Sequence, residues 1–281
     1  MKSGLRFDYA AVGHVTVDVL ADGTRRAGGT ALYSALQASR LGLRTVIVTQ
    51  GVAGEIEELL APYADELELR VLPARATTTL ETAGSGSSRS QRLLAWAGEL
   101  PERVEPESAI VHLGPVARET PARLDWDAAF LGLTPQGLVR SWPGRGGEIG
   151  LSPPAGEHEA VAGRCDAIVL NETERASCAE LIARGLEGGA TVAITAAAGG
   201  ARLLFGSGQE LAITRPRVEN PPDDLGAGDV FAAALFVALY EGQPPARAGS
   251  FAAAAAAARL SGVGAAAIGG RSAIDARLAG G

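Results

Sequence analysis

Short apolar, β-branched runs recur along the chain, and longer stretches with helical spacing lie between them. The strand-like runs are Tyr9 to Val12, Arg44 to Thr49, Leu67 to Leu72, Ala109 to Leu113, Ala129 to Leu133, Ala167 to Leu170 and Thr191 to Thr195. Helical patterns fall at Thr30 to Leu41, Glu172 to Arg184, Asp229 to Tyr240 and Pro245 to Leu260. This alternation predicts an α/β fold, a mostly parallel central sheet covered by helices on both faces. Ligands of such sheets bind beyond the carboxyl ends of the strands, so Asp18, Asn171 and Thr195 are expected on one rim.

Three segments depart from the alternation. Leu20 to Ala27 is short, polar and arginine-rich. Thr77 to Ala97 alternates loosely around Gly84-Ser85-Gly86-Ser87-Ser88 and reads as a hairpin with strands at Thr77 to Thr82 and Gln91 to Trp96. Trp142 to Gly156 is rich in glycine and proline and reads as a loop. With no internal repeat and no long linker, residues 1–281 are expected to form a single domain.

The stretch Asp223-Asp224-Leu225-Gly226-Ala227-Gly228-Asp229 leads into the apolar helical run that ends at Tyr240. Gly226 and Gly228 leave peptide N–H groups bare and permit backbone angles that a Cβ forbids. At a helix N-terminus those donors carry about half a positive charge, a seat for phosphate. Asp229 would repel a phosphate bound there unless it takes part in the chemistry. A hydroxyl that accepts a phosphoryl group must lose its proton, which a carboxylate in this place can remove. The plain structural alternative is an acid near a helix start, stabilised by the dipole.

Composition narrows the function. A hydrophobic fraction of 47% is ordinary for a globular protein, and no apolar run approaches the length of a membrane span. No basic segment followed by a long apolar core opens the chain, so a cytoplasmic location is expected. The net charge of −7 argues against a nucleic-acid surface. Lys2 is the sole lysine, which excludes a P-loop lysine and a Schiff-base lysine from the body of the chain. Phosphate must therefore be held by backbone, arginine and metal. Cys165 and Cys178 are too few for a disulfide framework, and His14, His112 and His158 lack zinc-site spacing.

Gly226-Ala227-Gly228-Asp229 resembles the signature of the ribokinase/PfkB carbohydrate kinase family, ATP-dependent kinases of small sugars, polyols and nucleosides. Four further features follow in family order. Gly13-His14-Val15-Thr16-Val17-Asp18, with Gly28-Gly29 opening a helix, resembles the first strand, the substrate-binding Asp and the double-glycine motif. Asn171-Glu172-Thr173-Glu174 matches the Asn-x-x-Glu motif. Ile194-Thr195 with Gly199-Gly200 resembles the nucleotide-binding strand and turn, and Gly262-Val263-Gly264-Ala265 the closing segment of the adenine pocket.

The resemblance implies a ribokinase-like three-layer α/β/α sandwich with a small β lid built from residues 20–27 and 77–97. It implies a magnesium- and ATP-dependent kinase with Asp229 as base and the amides at Gly226, Ala227, Gly228 and Asp229 stabilising the transferring group. Asn171 and Glu174 would hold Mg²⁺ through water, a role compatible with a capping box at a helix start. Thr195 and Gly200 fall on the nucleotide side, and Ala254 or Ala257 on the adenine wall. The substrate side comprises Asp18, Gly28, Gly29 and Tyr33. Gln136 and Arg140, which follow the strand Ala129 to Leu133, face the same rim as substrate groups or as a surface ion pair.

The Gly13-His14 pair, the Leu133 to Arg140 stretch and the short chain look most like the inositol-kinase-like branch. Tyr33 stands where the family carries an Asn that grips sugar hydroxyls, and a phenol cannot reproduce a two-sided amide. A cyclic polyol stacked on the ring, such as myo-inositol, is the expected acceptor, with a nucleoside or another sugar as the alternative. Asp224 stands where the family often has Thr. A monomer, or a homodimer paired through the lid edge, follows from the lid. A catalytically idle ligand sensor with the same fold is the reading from another class, and retention of Asp229 argues against it. A Rossmann oxidoreductase lacks its Gly-x-Gly-x-x-Gly after the first strand.

Overall fold

The computed structural model describes residues 7–84, 89–102, 107–121 and 128–280. The chain opens with β1 (Phe7–Val12), then the hairpin β2 (Thr16–Leu20) and β3 (Arg25–Gly28), then α1 (Thr30–Arg40). It continues through β4 (Thr45–Gly51), α2 (Ala53–Leu60), β5 (Glu68–Pro73), β6 (Thr79–Ala83), β7 (Ser90–Ala95), β8 (Ser108–Leu113) and β9 (Phe130–Leu133). A short helix α3 (Gln136–Val139) runs into β10 (Arg140–Ser141), β11 (Gly147–Glu148) and β12 (Gly150–Leu151). After α4 (Gly156–Ala162) come β13 (Ala167–Asn171), α5 (Ala179–Glu187), β14 (Thr191–Thr195), β15 (Ala201–Leu204) and β16 (Glu210–Ile213). The helices α6 (Ala227–Tyr240), α7 (Pro245–Arg259) and α8 (Arg271–Ala279) close the chain.

Nine strands form the central sheet in the order β16-β15-β14-β13-β9-β8-β1-β4-β5. All neighbours pair in parallel except β14 with β15 and β15 with β16, which are antiparallel. Alternate residues of each strand feed two separate cores, as a sheet covered on both faces requires. Tyr9, Ala11, Ile47, Ile110 and Val169 pack with α1, α6 and α7. Ala10, Val12, Val46, Val111 and Ile168 pack with α3, α4 and α5. The result is the expected three-layer α/β/α sandwich.

A second, five-stranded sheet has the order β11-β7-β6-β2-β3 and forms the lid. Both lid segments read from the sequence lie in it, though β2 begins ahead of residue 20 and β11 adds an edge from the stretch read as a loop. The turn 85–88 of the β6–β7 hairpin lies outside the described residues. Asp18 sits within β2, opposite Arg26 of β3 and Leu80 of β6, so it belongs to the lid and not to a central strand end.

Two helices depart from expectation. The first turn of α6 takes in Ala227 and Gly228. Residues 172–178 form turns, and α5 begins only at Ala179, not at Glu172. The Asn171 side chain accepts from the Glu174 N–H at 3.0 Å and from the Thr173 hydroxyl at 2.6 Å, while Glu174 Oε2 accepts from the Asn171 N–H at 3.1 Å. These are the bonds of a capping box, and side-chain bonds of this type stabilise turns in competition with helix. Among the described residues no helix is long and apolar enough to cross a membrane.

Phe236 of α6 anchors one core. It is fully buried, its ring lies 4.8 Å from that of His112 in a T-shaped contact, and a Cβ on Gly132 would approach it to 2.3 Å. Phe236→Ala is expected to cost about 3–5 kcal/mol, the usual range for truncating a buried Phe. Urea denaturation measures this, and a loss near zero would mean that α6 does not rest on the sheet as described.

Candidate active site

The carboxyl ends of β1, β8, β9, β13 and β14 define a rim, and the N-terminus of α6 points into it. Gly226 caps α6 in the left-handed region at φ 77°, and an added Cβ would meet the Tyr33 ring at 2.2 Å. That position therefore needs glycine for internal reasons. Gly228 differs: it is exposed, and a Cβ there would meet no protein atom within 4 Å. Glycine inside a helix costs roughly 1 kcal/mol relative to alanine, so its presence at 228 serves the space outside the protein. The Ala227 N–H donates back to Asp224 O at 3.4 Å, and the Val230 N–H to Gly226 O at 3.0 Å. The N–H groups of Gly228 and Asp229 have no protein acceptor among the described residues, which leaves two first-turn donors for an anion.

Asp229 is half-buried beside these donors. Its Oδ1 accepts from the Thr30 hydroxyl at 2.9 Å, and no arginine pairs with it among the described residues. Burial pushes its carboxyl up to about 6, aided by the charges of Glu174 and Asp18 and opposed by the Thr30 bond and Arg140. A carboxylate with a raised pKa and one oxygen held by a hydroxyl is suited to receive a proton on the other.

The substrate-side residues read from the sequence converge under the lid. Asp18 is buried, accepts from the Thr16 hydroxyl at 2.7 Å and has its pKa raised by burial. Its carboxylate rests on Gly28, where a Cβ would come within 2.1 Å of Oδ2. Gly29 sits at φ 93°, directly ahead of α1. Arg140 is buried and donates to Val116 O at 2.8 Å and to the Gln91 side chain of β7 at 2.6 Å, so it ties the sheet to the lid and is not a surface ion pair. Burial lowers its pKa, while Glu174, Asp18, Glu119 and Asp229 act in the opposite sense. Gln136 donates to Glu174 Oε1 at 3.2 Å, which brings Gln136, Asn171 and Glu174 into one group. Burial raises the Glu174 carboxyl.

Tyr33 is 2% exposed, its ring lies against Gly226, and the Arg259 guanidinium carbon stands 5.5 Å over the ring centre. A polyol stacked on the ring, as anticipated from the sequence, does not fit this packing. The phenol hydroxyl, buried and without a hydrogen-bond partner among the described residues, is the atom left for a ligand.

A cleft of about 90 Å³ borders the N-terminus of α6 and is lined by Thr195, Gly200, Gly228 and Phe231, with Ala253 and Ala256 of α7 and the adjoining Leu260 forming one wall. Thr195 and Gly200 thus lie where expected. Ala254 and Ala257 do not: both are fully buried and turn away, while Ala253, Ala256 and Leu260, spaced as one helix face, line the cleft. Another cleft, near Glu241 and Arg271 at the far end of α6, shares no residue with this one.

Several residues of the site were not anticipated. Thr30 holds Asp229. Asp223 accepts from Arg259 at 2.8 Å, from Arg26 at 3.3 Å, and from the N–H groups of Leu225 and Gly264 at 3.0 and 2.9 Å. Burial would push its carboxyl up, but these bonds hold it at about 2. Asp224, which stands where the family often has Thr, forms an ion pair with Arg89 at the lid edge. A short Asx turn at Asp223 was the available hint; the arginine partners lie far away in sequence.

Residues 151–269 match the pfkB family carbohydrate kinases. The chain's backbone is similar to that of a pyrophosphate-dependent kinase in the ribokinase family, complexed with a pyrophosphate analog and myo-inositol, at 22% identity over 91% of this chain and 96% of that one, with a TM-score of 0.71. Ribokinase from Arabidopsis thaliana complexed with ribose and ATP is similar at 19% identity over 97% and 98% of the chains, with a TM-score of 0.72. Nucleoside kinase from Methanocaldococcus jannaschii is similar at 16% identity over 99% and 100%, with a TM-score of 0.75. At these identities the likeness shows a ribokinase-like fold. No curated protein matches the sequence.

Gly228→Ala should fold with stability unchanged or raised by about 1 kcal/mol, while weakening pyrophosphate or nucleotide binding in calorimetry. A destabilised variant with intact binding would assign Gly228 to packing. For Asp229, the folded value of about 6 lies above the unfolded carboxyl value near 4. Stability linked to protonated Asp229 is therefore complete below about pH 4 and lost as pH rises through about 6. Asp229→Asn should melt above wild type at pH 8 and together with it below about pH 4. Equal melting temperatures at pH 8 would mean that the carboxylate is well solvated.

Proposed function

We propose that this protein transfers the γ-phosphoryl group of ATP to a hydroxyl of a small sugar or polyol, with myo-inositol the first acceptor to test. The observation that carries the reading is the juxtaposition of Gly228 and Asp229: two unbonded amides beside a half-buried carboxylate with a pKa near neutrality. Asp18, Arg140 and the Tyr33 hydroxyl supply the polar groups under the lid that would orient acceptor hydroxyls. Asp229 would take the proton from the attacking hydroxyl while Thr30 keeps the carboxylate in place. The amides of Gly228 and Asp229 would stabilise the phosphoryl oxygens, and one such donor is typically worth about 3 kcal/mol.

The apolar wall of Phe231, Ala253, Ala256 and Leu260 favours a donor with a flat base over bare pyrophosphate. Among the described residues no cluster of three His, Cys, Asp or Glu side chains is placed to bind a metal directly. The side-chain oxygens of part-buried Asn171 and buried Glu174 fit a hydrated Mg²⁺ arriving with the nucleotide, since this ion keeps several waters. When bound it would screen the phosphate charge.

A coupled assay across inositols, sugars and nucleosides, each with ATP and with pyrophosphate, tests the proposal. ATP-dependent product formation with a polyol or sugar is expected. Turnover with nucleosides alone, or with pyrophosphate alone, would replace the acceptor or the donor. A flat response across the panel, with ligand binding retained, would favour a sensor. Asp229→Asn should lower turnover by about 10²-fold or more and leave nucleotide binding largely intact. Wild-type kcat/KM should fall as pH drops below about 6, where the base becomes protonated. A profile flat from pH 5 to 8 would remove Asp229 from that role.

A further inference from the structure

We infer that Arg259 is the positioning residue of the phosphate seat, a built-in cation that holds the peptide turn between Asp223 and Asp229 in its anion-binding shape. The functional consequence rests on the kinase reading; the structural one does not.

Arg259 ends α7 immediately after seven consecutive alanines and has no exposed surface. A guanidinium buried so deeply is strongly unfavourable unless acceptors surround it. One terminal nitrogen donates to Asp223 Oδ2 at 2.8 Å and to Leu225 O at 2.6 Å, and the other to Gly262 O at 3.0 Å. The same Asp223 carboxylate accepts the N–H groups of Leu225 and Gly264. The guanidinium also lies over the Tyr33 ring, and that ring fills the space beside Gly226 that any Cβ would need. Asp223, Leu225 and Gly226, which lead into the first turn of α6, are thus held by Arg259 or by a group it touches.

A carboxylate and two carbonyl oxygens are all acceptors. Without a cation between them they have no partner for one another, and the turn must open to hydrate them. Arg26 does not substitute: it reaches Asp223 at 3.3 and 3.4 Å from lid strand β3 and touches neither carbonyl. Arg259 ends the helix whose Ala253 and Ala256 line the cleft, and its guanidinium lies over Tyr33, which belongs to the acceptor side. One buried side chain therefore joins the two halves of the site. The competing role is a bulk stabiliser of the whole domain, and locality separates the two.

Amide exchange followed by mass spectrometry on ligand-free protein reads the turn directly, and calorimetric titration with inorganic pyrophosphate reads the seat. In Arg259→Ala, peptides spanning residues 223–231 should exchange at least about tenfold faster while the central strands keep their protection. Pyrophosphate binding should weaken by about tenfold or more. Arg259→Lys should recover part of both effects, and millimolar guanidinium, well below denaturing levels, should recover part of both in Arg259→Ala. Folded Arg259→Ala with unchanged exchange and binding would overturn the inference, as would protection lost evenly along the chain. If Arg259→Ala does not fold, Arg259→Lys decides: intermediate exchange supports the inference, and wild-type exchange with wild-type binding overturns it. Absence of phosphotransfer by wild type would defeat the kinase reading and leave the exchange comparison standing.

Discussion

A turn made of glycine and alanine has no side chains with which to hold itself, and the whole site depends on how this one is held. Its stiffness comes from the Asp223 carboxylate, which binds Arg259, Arg26 and two peptide N–H groups. Charge-assisted bonds to a group this enclosed are among the stronger polar contacts in a protein. The depressed Asp223 pKa records how firmly the ionised form is preferred. With that carboxylate fixed, Gly226 can remain left-handed and the amides of Gly228 and Asp229 can stay free of acceptors among the described residues.

Asp229, six residues on, is treated in the opposite way. It has a hydroxyl for a partner instead of a guanidinium, and its pKa rises. Two acids at either end of one short segment are thus driven apart by their surroundings, one toward permanent charge and one toward proton exchange. Divergence of this kind separates structural from reactive carboxylates. Arg140 lies among Asp18, Glu119, Glu174 and Asp229 without a close ion pair to any of them, which moderates the repulsion while leaving their oxygens available.

The start of α1 connects the two substrate sides. Gly28 admits the Asp18 carboxylate, Thr30 bonds to Asp229, and Tyr33 packs on Gly226. Lid, acceptor floor and phosphate seat therefore meet within six residues of one helix entrance. Arg26 and Arg89 extend the connection by pairing lid strands with Asp223 and Asp224. A lid that opened would break both ion pairs, so closure and the shape of the seat are energetically linked.

Local chemistry made much of this legible from sequence alone. Periodicity located seven central strands and three of the four predicted helices, because buried parallel strands and long helices carry strong apolar signals. The glycine spacing and Asp229 marked the N-terminus of α6, since both reflect backbone needs within a few residues. Short-range signals did not reach the rest. The hairpin strands β2 and β3 are too brief and polar to stand out, and the Asn171 to Glu174 bonds mimic a helix start that α5 does not use. The run Ala252 to Ala258 offers no hydrophobic phase, so which face turns to the cleft depends on packing against α6; Ala253 and Ala256 face it, and Ala254 and Ala257 do not. The partners of Asp223 and Asp224 come from Arg26 and Arg89, across sequence separations as large as 197 residues, and Arg259 meets Tyr33 from farther still. Pairing over such distances is set by how layers stack and where the lid rests, and only the folded chain brings those charges together.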